Sequence, residues 1–265
     1  MRNEIKKAIR TGKPIKQCGL TFYPITMDNY EDFIACKDAL LLRTGTLPVK
    51  YLSKDFLSAI WSMEIDSLKN NGKAVGLFER VMRFLGLALK VNLFDNKRFD
   101  NVLRLKQVGD ESILDALIIK QGGKTTEIAP FVFSTTIRPI LAEQNGLTLP
   151  DESQNIDIIK DYERRKVMGS DKKLNHNIDD LIASVAFQSR IREQDINEWT
   201  VREFENRVKC ITRDKRYTMF GQAELSGMVK FKSGNPVPSW CFDVADDSFG
   251  TMGLSKLGEI FDNSN

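Results

Sequence analysis

SKDFLSAIWSMEIDSLKNNGKAVGLFERVMRFLGLALKV, residues 53–91, decides the fold class. Leu57, Ile60, Trp61, Ile65 and Leu68 recur at spacings of three and four, the period of one α-helical face. Ser53 is the expected opening residue. Asn70-Asn71-Gly72 is the expected stop, because glycine takes the left-handed conformation that ends a helix at no steric cost. Val75, Phe78, Met82, Leu85 and Leu89 mark a second inward stripe, with Glu79, Arg80 and Arg83 toward water. A short link between two such helices predicts an antiparallel hairpin. The stretch is more apolar than one stripe requires, since Phe84 and Leu87 fall outside it. Two readings stay open. Burial in the rest of the chain is modestly favoured. Otherwise Trp61, Phe78, Met82, Phe84 and Leu87 line an apolar groove for a helical partner.

Upstream, Leu20–Ile25 reads as a short strand that Pro24 confines to an edge or ends. Thr26 is the expected N-cap of a helix that buries Tyr30, Phe33, Ile34 and Leu41, with Ile25 and Tyr30 at staple spacing. Gly45 and Pro48 break it. Downstream the period changes from helical to alternating. Residues 102–105 and 116–120 read as strands, and Gln121-Gly122-Gly123-Lys124 as a hairpin turn with a returning strand to Ile128. Helices resume at Phe131–Gln144, which Pro139 kinks or divides, at Asn155–Met168, and after Asn177, which caps a helix burying Ile178, Leu181, Ile182 and Val185. Residues 169–177 read as a polar loop. Thr200 and Glu203 make a capping box with Trp199 and Phe204 as its staple, and Val201, Phe204, Val208 and Ile211 face inward. Met228–Lys232 alternates like a strand, and the tail from Asp262 is expected to fray. The expected fold is mainly α, helical domains with a small antiparallel β insertion and short terminal β segments. Its expected parts are residues 1–98, 99–130 and 131–265.

Composition limits the function. A 265-residue chain with 42% hydrophobic residues can bury a sizeable core. Its 39 basic and 36 acidic residues are interspersed, so a nucleic-acid partner is disfavoured. The most apolar stretch, Ala74–Phe94, carries Glu79, Arg80, Arg83 and Lys90, which argues against a membrane span. Cys18, Cys36, Cys210 and Cys241 are scattered, and the charged start Met1–Lys7 lacks the apolar stretch of a signal peptide. The expected setting is the cytoplasm, with reduced thiols.

Catalytic patterns are weak. Gly123-Lys124-Thr125 ends like a phosphate loop, but the required earlier glycine is Ile118 and the following residues look extended. His176, the single histidine, lies in a polar loop, where solvation is the expected state. Asp243, Asp246 and Asp247 lack the calcium-loop pattern. Asp151-Glu152 reads as a turn running into a helix. No enzyme activity, cofactor or metal is expected. Trp240 and Phe242 share a face and either form a contact patch or, as favoured, belong to a strand packed on the core. Phe131, Phe133 and Phe187 read as core helix positions.

The order of several segments resembles proteins encoded among the tail genes of phages that infect Gram-positive bacteria. The segments are Phe22-Tyr23-Pro24-Ile25-Thr26 with Tyr30 and Phe33, residues 144–152 (QNGLTLPDE), residues 199–205 (WTVREFE), residues 223–229 (AELSGMV) and Pro238-Ser239-Trp240. The tract that some relatives carry between Pro48 and Ser53 is missing here. The resemblance implies a helical, non-catalytic tail assembly chaperone or minor tail component. Its implied partner is a helical tail or tape-measure protein, or a second copy of itself. Its implied place is the host cytoplasm during assembly, or the virion tail. The alternatives are a structural component retained in the tail and a DNA-binding regulator built on Arg202, Arg207, Lys209, Arg213, Lys215 and Arg216.

Overall fold

The computed structural model describes residues 3–93, 102–109, 111–152, 177–227, 229–231 and 235–242. The helix expected at 155–168, most of the loop before Asn177, His176, the aspartates after Phe242 and the polar tail lie outside these residues. The fold is mainly α, with a two-stranded and a three-stranded antiparallel sheet. The chain forms two compact units, residues 1–152 with 189–206, and residues 153–188 with 207–265.

In the first unit, helix α1 (Asn3–Arg10) leads into a hairpin of β1 (Ile15–Gln17) and β2 (Leu20–Phe22). A single-turn 3-10 segment (Met27–Asn29) precedes α2 (Tyr30–Leu40). Thr26 makes no side-chain cap bond, contrary to expectation. Its backbone is instead extended and bridges Thr200. Phe33, Cys36, Ala39 and Leu40 form the buried face of α2, with Ile34 half-buried.

Helix α3 (Phe56–Asn71) starts later than expected. Asp55, not Ser53, is its cap, accepting the Ser58 amide at 3.1 Å. Gly72 ends it at φ 63°, as the sequence predicts. Leu57, Ile60 and Trp61 are buried, but Leu68 is 45% exposed because the last turn projects beyond the core. Glu64 accepts the Gly76 amide at 3.0 Å and so fixes the link to α4 (Leu77–Leu89). Phe78, Met82, Leu85 and Leu89 face inward, whereas Val75 lies outside the helix and is 40% exposed. The expected α3–α4 contact exists, through Trp61 set edge-on to Phe78 at 5.0 Å. The larger contact of α4 is with α2. That second partner explains why α4 is apolar on more than one face.

Strands β3 (Leu103–Val108), β4 (Glu111–Gln121) and β5 (Lys124–Ile128) form the expected insertion, with β4 central. Asp115 is an extra residue in the β3–β4 pairing. The bulge breaks strict alternation, and Ala116 and Leu117 are both buried. Gly122 and Gly123, at φ 56° and 77°, make the β4–β5 turn, so Gly123-Lys124-Thr125 is a hairpin.

The 131–144 helix is divided, one of the two outcomes expected of Pro139. Helix α5 (Pro130–Val132) passes through a π segment (Phe133–Ile137) into α6 (Arg138–Gln144), where Pro139 sits in the first turn. There its missing amide is least costly, and the wide π turn leaves room for its ring. Phe133 is wholly buried as expected, but Phe131 is 65% exposed.

Three buried or half-buried amides hold the β2 segment. Gln121 accepts the Thr21 amide and donates to the Thr21 and Leu89 carbonyls. Gln144 donates to the Phe22 carbonyl. Asn145 accepts the Ile25 amide at 2.8 Å and donates to the Leu141 carbonyl. Residues 25–28 then meet 197–201 through Met27 to Trp199, Asp28 to Asn197 and Val201 to Ile25 backbone bonds. This closes helix α8 (Glu193–Ile196) and the start of α9 (Val201–Leu225) onto the first unit. Thr200 accepts the Glu203 amide, so the expected cap is present. It is worth about 1 kcal/mol. Val201 and Phe204 are buried, and Tyr30 meets Phe204 edge-on at 6.5 Å.

In the second unit, Asn177 caps α7 (Ile178–Ser189) by accepting the Asp179 amide. Val185 and Ala186 are its buried residues, while Leu181 is 36% and Phe187 80% exposed, against expectation. Residues 207–225 continue α9 with Val208 and Ile211 half-buried. Residues 229–231 form no strand; Phe231 instead meets Phe220 edge-on at 5.6 Å. No described helix is long and apolar enough to cross a membrane.

Candidate functional site

Four of the residues expected to line a groove are core. Phe78, Met82 and Phe84 are essentially inaccessible and Trp61 is 8% exposed. Phe84 packs on Phe33 at 5.7 Å. The expected apolar groove on the α3–α4 pair is therefore filled by the chain itself. Sequence periodicity showed the excess of apolar residues but not that α2 covers them.

Leu87 is the exception. It is half-buried and lines a cleft of about 700 Å³ between the start of α2 and the end of α4. Asp28, Asp32, Arg83 and Lys90 share the lining, so the cleft is charged, not apolar. Arg83 pairs with Glu79 at 2.8 Å, and Lys90 lies over the Tyr23 ring at 4.9 Å. Gly86 is also in the lining, and a Cβ added there would lie 3.0 Å from the Val91 carbonyl oxygen. Cys36 on α2 is buried, and burial pushes its thiol up, against the pull of Arg83.

Trp240 and Phe242 lie in the second unit. The favoured expectation, a strand packed on the core, is overturned: neither residue is in a strand, and they are 60% and 76% exposed. Their backbone returns along α9. Phe231 meets Phe220, Asn235 lies 4.0 Å from the Cβ position of Gly221, and Arg213 Nε donates to the Trp240 carbonyl at 2.8 Å. The Ser239 hydroxyl accepts the Cys241 and Phe242 amides at 3.1 Å, shaping the turn that presents both rings. Tyr217, Met219 and Leu225 on α9 are 38%, 55% and 90% exposed. The 239–242 turn thus carries two large exposed rings on a fastened backbone. Arg213 supports this turn by holding Trp240. The basic reading of α9 missed that role, because it depends on a return of the chain over 27 residues.

Among the described residues there is no group of three or more potential metal ligands. Lys124 is exposed and is the first residue of β5, next to the turn. Cys210 and Cys241 are exposed. No family model, no curated protein and no solved structure matches the chain.

Proposed function

We propose that the protein is a non-catalytic assembly protein of a phage tail, holding a helical segment of a tail or tape-measure protein during virion morphogenesis. The observation that carries the reading is the Trp240–Phe242 turn: two large aromatic rings exposed on a backbone anchored by Arg213. Exposed aromatics on an ordered backbone are the side chains that anchor interfaces, because they bury much area at little entropic cost. The order of segments that resembles tail morphogenesis proteins supplies the biological setting. Retention in the tail as a structural component is the second reading of the same surface.

The test is co-expression of the full chain with the tape-measure protein of the same phage. Replacing Trp240 and Phe242 together by alanine is expected to lower capture by at least about tenfold, since each anchor is worth about 1 kcal/mol or more. The melting temperature should stay unchanged because both rings are exposed. Undiminished capture would refute the surface. Mass spectrometry of purified particles separates a chaperone, absent from the virion, from a retained component.

A further inference from the structure

A second site lies in the first unit, where Arg43 and Arg138 converge on Glu152. Arg138 is 6% exposed and Arg43 8%. Arg138 is fixed independently of Glu152. Its Nε donates to the Leu40 carbonyl at 2.9 Å, its Nη2 to the Leu42 carbonyl at 2.6 Å, and its guanidinium lies 3.6 Å from the centre of the Phe56 ring. Its Nη1 is left toward the Glu152 carboxylate, at 4.0 Å. Arg43 Nε lies 4.0 Å from the other carboxylate oxygen, while its Nη2 donates to the Asp151 carbonyl at 2.6 Å. The Thr44 and Gly45 amides complete the ring, 3.2 and 3.3 Å from the two oxygens.

These four contacts are long. Charge-assisted N–H···O bonds normally close to about 2.7–2.9 Å. A planar carboxylate presents two oxygens in one plane to four donors that surround it. A tetrahedral anion presents oxygens in several directions and carries more charge. The Glu152 side chain is 42% exposed, so the site opens to solvent. Burial pushes the Arg138 guanidinium down to about 10, offset only in part by Glu152, so further negative charge is favoured there.

We propose that Arg43, Arg138 and the Thr44 and Gly45 amides form a receptor for a phosphate-class oxyanion, whose place the Glu152 carboxylate takes in this structure. The donors come from residues 43–45 and 138, and the resident anion from 152. Glu152 can therefore swing out without dismantling the wall that Leu40, Leu42 and Phe56 hold in place. The proposal is independent of the tail-assembly reading.

The experiment compares the melting temperature of the full chain in inorganic phosphate and in sodium chloride at matched ionic strength. A ligand that binds only the folded state raises stability in proportion to the logarithm of its saturation. E152A removes the internal competitor, so its phosphate-dependent rise should exceed that of the wild type several-fold. Calorimetric titration of E152A should give one phosphate per chain. Adding R43Q to E152A should remove the response. A phosphate response in E152A no larger than in the wild type overturns the proposal, as does a response that survives R43Q. Failure of E152A to fold also overturns it, because the carboxylate would then be a fixed structural member. If E152A/R43Q does not fold, the stoichiometry decides, and any value other than one phosphate per chain counts against the site.

Discussion

Asn145→Ala tests the idea that buried amides hold the fold together. Asn145 is 1% exposed, and its Oδ1 accepts the amide of Ile25, itself 3% exposed. Alanine leaves that amide without its acceptor inside the core, at a cost of about 1–3 kcal/mol. The bond from Nδ2 to the Leu141 carbonyl is lost as well, for about 1 kcal/mol more. The expected loss is about 2–4 kcal/mol, a fall in melting temperature of roughly 5–15 °C for a unit of this size. Two compact units can melt separately, so amide hydrogen exchange is the better assay. The Ile25 carbonyl accepts the Val201 amide. Protection should therefore drop at both Ile25 and Val201, 176 positions apart in sequence by subtraction of their numbers. Gln121→Ala is the control: it should expose Thr21, which it binds, and spare Val201. Unchanged protection at Ile25, with a stability loss under about 0.5 kcal/mol, would mean that water replaces the side chain and the clamp argument is wrong.

Phe84→Asp should unfold the first unit, since the carboxylate would be buried against Phe33; a loss above about 4 kcal/mol is expected. A variant that keeps its circular dichroism melt but loses partner binding would restore the open-groove reading. Asp66 makes a pH prediction. Hydrogen bonds from Lys50, at 2.5 Å, and Tyr51, at 2.8 Å, hold its carboxyl below its ordinary 3.8. The folded value lies below the unfolded one, so the contribution is complete above 3.8 and fades as pH falls through the folded value. Asp66→Asn should flatten the acid limb of the melting-temperature profile slightly, as suits an exposed pair. An identical limb in the variant would show that the ion pair carries no stability.

What the sequence determined by itself was local. The two periods, 3.6 and 2, located α2, α3, α4 and the β3–β5 insertion, because side-chain direction repeats along the backbone whatever the rest of the chain does. Gly72 and Thr200 were legible for the same reason: a left-handed stop and a hydroxyl cap act within four residues. The Trp240–Phe242 pair was legible as two aromatics on one side, but not as an exposed turn, since its support is Arg213 on a helix behind it. Only tertiary structure decided which apolar faces are covered. Phe84 lies outside the stripe of its own helix and is buried by α2, while Phe131, in an equally apolar setting, is left exposed. A short polar signal misled where a distant partner outweighed it: the Thr26 backbone bridges Thr200 and its side chain makes no cap bond; Glu152 sits in the expected turn, but its contacts with residues 44 and 45 were not legible. Local periodicity contains no information about those pairings. They depend on which closures of long chain segments bury the most apolar surface while leaving every amide with a partner, and that balance is set by the whole unit at once.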